Sequence, residues 1–174
     1  MAKTIELRRH TDDDGDVLSA EGVRGAVSIG RSLAGDYQLV VSSGAQRATQ
    51  AAACFLAGLG QAVPAGVVVE PRLRSEHEDR WRAIAGEADG SDLESFRAVD
   101  PDFVSAEAEA LGEGLRQVFD QLDEGGRALA VGHSPTNEAA VLGVTGEFVA
   151  PLGKGEGVLV IADGGDFRVE PLDS

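Results

Sequence analysis

The stretch Arg127–Pro135, which reads RALAVGHSP, decides the fold of this 174-residue chain. Residues 127–132 form a continuous run of the kind that makes a strand buried on both faces of a parallel sheet. His133 and Ser134 then turn the chain, and Pro135 stands near the first position of a helix that we predict to run through Leu142. A buried strand that leads through a tight turn into a helix predicts an α/β domain.

The same alternation of strand and helix extends in both directions from this stretch. Strands are predicted at 3–8, 38–42 and 67–69, and helices after Ser19, after Gly44 and over 76–84. Near the C-terminus, residues 158–162 and 167–170 flank a Gly164-Gly165 turn and predict a hairpin. Repeated strand–helix units predict a three-layer α/β sandwich, in which a mainly parallel central sheet is flanked by helices on both faces.

The length of the chain fits a single domain over residues 1–174. Residues 86–100 are rich in Gly, Ser and Asp and lack a helical repeat, whereas residues 102–123 carry the clearest amphipathic helix pattern in the sequence. We therefore predict a lid or insert at 84–123 within one domain.

The composition excludes several classes of function. Fifteen Lys and Arg residues against 30 Asp and Glu give a net charge of −15, which argues against nucleic-acid binding because such proteins present a cationic face. Cys54 is the single cysteine, so no intramolecular disulfide and no multi-cysteine metal cluster can form, which favours a reducing compartment. No apolar run is long enough to span a membrane, and nothing resembles a signal peptide. We expect a cytoplasmic protein.

The charge is unevenly distributed along the chain. Up to Glu87 there are 10 Lys and Arg against 12 Asp and Glu, a net charge of −2, whereas from Ala88 onward there are 5 against 18, a net charge of −13. The scarce positive charge is thus concentrated in the first half of the chain, where the first predicted strands lie.

Arginines and histidines follow three of the predicted strands. Arg9 and His10 come after the first strand, Arg47 lies at the start of the helix after the second, and His133 follows the strand at 127–132. In a parallel sheet these strand ends share one edge, where helix N-termini also point their N–H groups. Each side chain alone could equally be a helix cap or a surface ion pair, but the convergence of four of them favours a site for a small dianion such as phosphate.

Four segments of this chain together resemble the histidine phosphatase (phosphoglycerate mutase-like) superfamily. They are Leu7–Thr11 (LRRHT), Leu18–Gly22 (LSAEG), Val41–Ala52 (VSSGAQRATQAA) and Val131–His133 (VGH), whose order and spacing match the family over most of the chain. The length is similar to that of the short, phosphatase-type members. The resemblance implies a phosphoglycerate mutase-like fold and hydrolysis of phosphomonoesters on phosphorylated small molecules or phosphoproteins, with no cofactor and no metal.

The resemblance also implies roles for individual residues. His10 would attack phosphorus and become phosphohistidine, while Arg9, Arg47 and His133 would hold the phosphoryl oxygens. Thr11 stands where the family usually has Gly, so its side chain would lie beside the nucleophile and is expected among the substrate contacts.

The proton donor departs from the family pattern. The family commonly places a Glu two residues after a Leu that follows the third strand, and here Leu73-Arg74-Ser75-Glu76 places it one position later. Glu76 is therefore the candidate acid/base, with Glu78 behind it. Both could instead be solvated carboxylates at a helix start, and a loop aspartate among residues 12–14 could supply the proton, or a good leaving group could need none.

Two other functions stay open at this point. A phosphoglycerate mutase-type phosphoryl transfer is compatible with the same motifs, although the mutases that the chain resembles are longer and carry extra loops. A weakly catalytic module that binds phosphate or a phosphopeptide is suggested by Thr11 and by the displaced Glu76.

Overall fold

A computed structural model describes residues 1–172 of the chain. The strands are β1 (Lys3–Arg9), β2 (Asp13–Asp14), β3 (Val17–Leu18), β4 (Leu39–Ser42), β5 (Val67–Val69), β6 (Arg127–Gly132), β7 (Gly157–Asp163) and β8 (Asp166–Pro171). The α-helices are α1 (Ala20–Ser32), α2 (Gln46–Leu59), α3 (Glu78–Glu87), α4 (Leu93–Val99), α5 (Pro101–Gln121) and α6 (Thr136–Thr145), and a short 3-10 helix covers Pro71–Leu73.

Six of these strands form one sheet in the order β5-β4-β6-β1-β7-β8. The neighbours from β5 to β1 are parallel, whereas β7 pairs antiparallel with β1 and with β8. The mainly parallel sheet and the terminal hairpin are confirmed. The order also places β6 between β4 and β1, so the three strands that precede the predicted site residues are direct neighbours.

Strand β6 shows why the sheet is covered on both faces. Its side chains alternate, as strand geometry requires. Ala128 and Ala130 belong to the apolar core on the α5 and α6 side, whereas Leu129 and Val131 belong to the core beneath α1 and α2. All four are fully buried. The continuous apolar run at 127–132 thus fills two cores, and the predicted three-layer sandwich is confirmed.

The interval at 86–100, which the sequence predicted as irregular, contains helix α4. Asp92 caps it by accepting a hydrogen bond from the Ser95 N–H, and Leu93 and Phe96 are its buried residues. Two apolar residues in seven are too few to give a readable helical repeat, which explains the difference. The predicted helix at 76–84 begins later, at Glu78, because the 3-10 helix and a turn precede it.

The predicted insert at 84–123 consists of the end of α3, all of α4 and α5. Helix α5 is a core element, since Val104, Leu115 and Val118 are fully buried against the sheet. The lid character of the remainder stays a prediction. No helix among the described residues is both long enough and apolar enough to cross a membrane.

Candidate active site

The carboxyl ends of β1, β4 and β6 bring two histidines and a serine together. The backbone N–H of His10 donates to the Gly132 carbonyl at 3.1 Å, and that of Ser43 donates to the Val131 carbonyl at 3.1 Å. The next residue of the β6 segment is His133. The rings of His10 and His133 consequently lie edge to face with 5.5 Å between their centres. The register of the sheet, more than any local contact, therefore determines how close the two histidines lie.

His10 is held in one tautomer. Its Nδ1 lies 2.8 Å from the carbonyl oxygen of Thr11, which can only accept, so Nδ1 carries the proton and donates it. The lone pair is then on Nε2, for which the described residues provide no hydrogen-bond partner. Burial lowers the pKa of His10, and the nearby Arg47 and Arg9 lower it further. His10 is therefore a neutral imidazole with a free lone pair, which is the state of a nucleophile.

His133, the second member of the pair, is also buried. Its Nε2 lies 2.7 Å from the Ser43 hydroxyl, whereas its Nδ1 is buried without a hydrogen-bond partner among the described residues. Burial lowers the pKa of His133 to about 3, with Arg47 and His10 as further causes. His133 is thus neutral in the free protein and can interact with an anion through a hydrogen bond.

The two predicted arginines supply positive charge close to both histidines. Arg9 donates through Nη1 to the Leu152 carbonyl at 2.9 Å, and its Nε is buried with no partner in the described part of the chain. Arg47, in the first turn of α2, makes one ion pair with Asp16 at 3.2 Å. Each guanidinium has five N–H donors, so both keep donors for an anion.

Gly44 shapes the turn that leads from β4 to Arg47. Its φ of 100° lies in the left-handed region, which favours glycine over other residues. Its N–H donates to the Ser42 hydroxyl at 3.0 Å, and that hydroxyl also lies 2.7 Å from the Thr49 hydroxyl. This turn aims the start of α2, and Arg47 with it, toward the histidine pair.

A cavity of about 270 Å³ opens beside His133. Cationic and polar side chains share its wall with apolar ones, and its lining consists of Arg47, Ser75, Glu78, Trp81, Arg82, Ala85, His133, Ser134, Pro135 and Thr136. The arrangement suits a ligand with an anionic group near His133 and Arg47 and an apolar or aromatic part against Trp81 and Pro135.

Two predicted site residues point elsewhere. The Thr11 hydroxyl is buried and donates to the Gly22 carbonyl at 2.7 Å, so it is engaged with helix α1. Glu76 is exposed and lines a separate cavity beside His77 and Arg72, because the turn after the 3-10 helix directs it outward. Their roles in the site stay predictions to which this geometry gives no support.

Glu78, unlike Glu76, lines the cavity beside His133. Its carboxylate accepts a hydrogen bond from the Arg74 guanidinium at 3.0 Å, and both residues are partly exposed. The loop aspartates are also engaged: Asp13 pairs with Lys154, and Asp12 accepts a hydrogen bond from Ser19 at 2.6 Å.

Ser75 is a site residue that reasoning from the sequence missed. It occupies the position two residues after Leu73, is buried, and lines the cavity next to His133. Its hydroxyl donates to the buried carboxylate of Glu107, to which the Trp81 indole also donates at 2.8 Å. The sequence did contain a signal for Ser75, because the family's acid is defined by its distance from a Leu and Ser75 stands at that distance from Leu73.

Glu138 braces the site from behind. It is 2% exposed, accepts a hydrogen bond from Ser134 at 2.5 Å and another from the Leu152 N–H at 3.0 Å. Burial raises its pKa, so it holds a proton more readily than an exposed Glu. Since the Leu152 carbonyl receives Arg9, Glu138 fixes the backbone on which Arg9 is oriented.

No group of three or more His, Cys, Asp or Glu side chains within residues 1–172 is arranged to hold a metal ion. The site that the described residues assemble is one of neutral imidazoles, guanidiniums and hydroxyls.

Comparisons with known proteins show the family of the chain and support its fold. The sequence model of the family described as "Histidine phosphatase superfamily (branch 1)" matches residues 3–149. The structure is similar to that of a phosphoglycerate mutase from Bacillus anthracis, with 18% identity over 98% of this chain and 92% of that one and a TM-score of 0.65. No curated protein matches the sequence.

Two further solved structures share the fold over nearly their whole length. A mycobacterial glucosyl-3-phosphoglycerate phosphatase is 18% identical, covers 98% of both chains and has a TM-score of 0.65. A phosphoserine phosphatase from Entamoeba histolytica is 15% identical over 99% of this chain and 97% of that one, with a TM-score of 0.68. At these identities the likeness concerns the fold.

Proposed function

Since the chain belongs to the histidine phosphatase superfamily, whose members include phosphatases and mutases, we propose that it hydrolyses phosphomonoesters through a phosphohistidine on His10. The observation that carries the proposal is the state of His10. Its Nδ1 proton is donated to Thr11, its Nε2 lone pair is free, and it lies 5.5 Å from the second histidine.

In the first step, Nε2 of His10 attacks phosphorus and the bond to the leaving oxygen breaks. The lowered pKa of His10 keeps the imidazole neutral, so no proton has to be removed before attack. In the second step, water attacks the phosphorus and returns His10 to its starting state.

Arg9, Arg47 and His133 stabilise the phosphoryl oxygens in this scheme. Phosphoryl transfer gains most of its acceleration from positioning and from charge placed at those oxygens, rather than from covalent chemistry by the protein. The free N–H donors of Arg9 and Arg47 provide such charge, and the Ser43 hydroxyl holds His133 in place. The scheme uses no metal ion.

The apolar part of the lining, formed by Trp81, Ala85 and Pro135, suits a phosphomonoester with an apolar group better than the wholly polar phosphoglycerate of a mutase reaction. The second candidate is a phosphate- or phosphopeptide-binding module. The observation in its favour is Ser75, which lies where the family commonly has its acid and which cannot serve as one.

The test is turnover of p-nitrophenyl phosphate in the presence of EDTA by the wild type and by His10→Ala. We expect EDTA-resistant turnover that falls at least about 1,000-fold in His10→Ala, as loss of a nucleophile commonly does. His77→Ala is the matched control, because His77 is the third histidine and is exposed outside the site. If the protein binds phosphate or vanadate but turns over no phosphoester, the phosphatase proposal is wrong and the binding module takes its place.

A further inference from the structure

We propose that the substrates are acyl or aryl phosphates, whose leaving group departs without a proton, and not alkyl phosphates. The inference rests on the proposed phosphatase function and narrows it to a substrate class. The juxtaposition that carries it is a hydroxyl, Ser75, at the cavity wall next to His133, with the carboxylates around the cavity held by cations.

Ser75 places a hydroxyl, and no carboxyl group, at the position of the cavity wall where the family commonly has its acid. Its hydroxyl is committed as a donor to Glu107, and Glu107 lies behind it, 6% exposed and bonded also to the Trp81 indole. An aliphatic hydroxyl is far too weak an acid to protonate an alkoxide in the way a carboxylic acid does. The Ser75–Glu107 pair thus closes the cavity wall and does not deliver protons across it.

The carboxylates that face the site are paired with positive charge. Glu78 accepts from Arg74 at 3.0 Å, Asp16 pairs with Arg47 at 3.2 Å, and Asp13 pairs with Lys154. In each of these pairs a cation already occupies an oxygen of the carboxylate with a charge-assisted contact.

Two further carboxyls lie near the site without facing the cavity. Glu138 is buried: its Oε1 accepts from Ser134 and Leu152, its Oε2 has no hydrogen-bond partner in the described chain, and the residue is not part of the cavity lining. Glu76 is exposed and belongs to a neighbouring cavity with Glu107. Glu78 is therefore the single carboxylate among the described residues that line the cavity at His133, and Arg74 engages it.

The consequence depends on the leaving group. A carboxylate leaves with a conjugate-acid pKa of about 4 and a phenolate with one of about 10. An alkoxide is a far stronger base, comparable to hydroxide, so the pKa of its conjugate acid lies well above that of a phenol. Only the alkoxide depends strongly on a proton donor, which contributes roughly 100- to 10,000-fold when present.

The cavity itself fits an acyl or aryl group. Its lining combines the apolar side chains of Trp81, Ala85 and Pro135 with the cationic side chains of Arg47 and Arg82. An aromatic ring or acyl chain can pack against the apolar side chains while its phosphate meets Arg47 and His133.

The proposed step balances without an acid. The His10 Nε2–phosphorus bond forms as the bond from phosphorus to the leaving oxygen breaks, and its electron pair departs on the carboxylate or phenolate. Water then adds to phosphorus, the phosphorus–nitrogen bond breaks with its electron pair returning to Nε2, and both water hydrogens leave with the product as dihydrogen phosphate. His10 ends as the neutral imidazole that began the cycle.

The experiment compares substrates of matched shape on the wild-type protein. Acetyl phosphate, 4-nitrophenyl phosphate and phenyl phosphate are set against benzyl phosphate, which carries the same ring on an alkoxide leaving group. We expect kcat/KM for benzyl phosphate to be at least about 100-fold below that for phenyl phosphate, the lower end of what a general acid supplies. Values within about tenfold would overturn the inference while leaving the phosphatase function intact. Turnover of none of the four would remove the proposed function itself.

Variants at Ser75, Glu107 and Glu78 test whether the cavity lacks a proton donor. Ser75→Glu combined with Glu107→Gln places a carboxyl at the wall and removes the charge behind it, and Ser75→Gln with Glu107→Gln is the matched control. We expect the first pair to raise the ratio of kcat/KM on benzyl phosphate to kcat/KM on 4-nitrophenyl phosphate at least about tenfold over the control. Glu78→Gln checks the native protein and needs no rebuilt wall: a selective loss on benzyl phosphate would show that Glu78 already serves as the acid and would overturn the inference.

Discussion

The Nε2 atom of His133 lies 2.7 Å from the hydroxyl oxygen of Ser43, and this contact joins the residue after β6 to the residue after β4. Both side chains are buried, at 7% and 1% exposure. Because the other ring nitrogen of His133 has no partner among the described residues, the serine is what orients the ring.

We expect Ser43→Ala to lower kcat/KM about three- to tenfold, since a single hydrogen bond contributes about 0.5–1.5 kcal/mol and 1.4 kcal/mol corresponds to tenfold. Steady-state kinetics on p-nitrophenyl phosphate measures the change. Ser32→Ala is the control, because its hydroxyl bonds only to the Ile29 carbonyl on exposed α1. Wild-type kinetics in Ser43→Ala would mean that packing alone holds His133.

The pKa of His10 is lowered by burial and, in addition, by Arg47, whereas Asp13 acts to raise it. Attack needs the unprotonated ring, so we expect kcat/KM to persist as the pH falls through about 6.5, the ordinary histidine value. Arg47→Gln should move the acid limb to higher pH, because removal of a positive charge makes protonation of His10 easier.

Asp13→Asn should shift the pH profile in the opposite direction. It removes a negative charge that favours the protonated ring, so its acid limb should move to lower pH than that of the wild type. Profiles of kcat/KM against pH on one substrate measure both variants, which cancels the ionisation of the substrate. A shared direction in the two variants would refute the electrostatic account.

Glu138 gives a stability prediction. Glu138→Ala removes the acceptor of Ser134 and of the Leu152 N–H and opens a cavity in a buried site, so we expect a loss of about 2–4 kcal/mol in the free energy of unfolding. Glu138→Gln keeps an acceptor oxygen and should lose much less.

The pH dependence of Glu138 has a defined sign. Its pKa is raised in the folded protein, so its contribution is complete below the pKa of an exposed Glu and is lost as the pH rises through the raised value. Gln cannot ionise, so Glu138→Gln should gain stability relative to the wild type as the pH increases. Urea unfolding at pH 5 and pH 8 measures the difference, and equal stability differences at both values would contradict it.

The contact between α5 and α6 depends on glycine. A Cβ on Gly143 would lie 1.9 Å from the Ala108 carbonyl oxygen, so Gly143→Ala has to separate the helices and should cost about 1–3 kcal/mol or more. Gly86→Ala, on helix α3 with nothing within 4 Å, should instead gain about 0.5–1 kcal/mol. Thermal unfolding compares the two, and a neutral Gly143→Ala would show that the helices can move apart without loss.

The sequence alone could predict the layered fold and the residues at the strand ends. The run at 127–132 is apolar throughout because both faces of β6 are buried, and no sheet with one exposed face would accept it. Arg9, His10, Arg47 and His133 follow strands that a parallel sheet brings to one edge, so their convergence follows from period and order along the chain.

Tertiary structure alone decided which carboxylates could reach the site. Glu76 and Glu78 are only two residues apart, and no sequence pattern tells which of them faces the site. The 3-10 helix at Pro71–Leu73 and the start of α3 fix the directions of the two side chains. The contact of Ser75 with Glu107 spans 32 residues and depends on how α5 packs against the turn before α3. Secondary structure and the order of its elements can be predicted from the sequence, because they depend on neighbouring residues. The direction of a side chain in a turn depends on packing against elements that are distant along the chain.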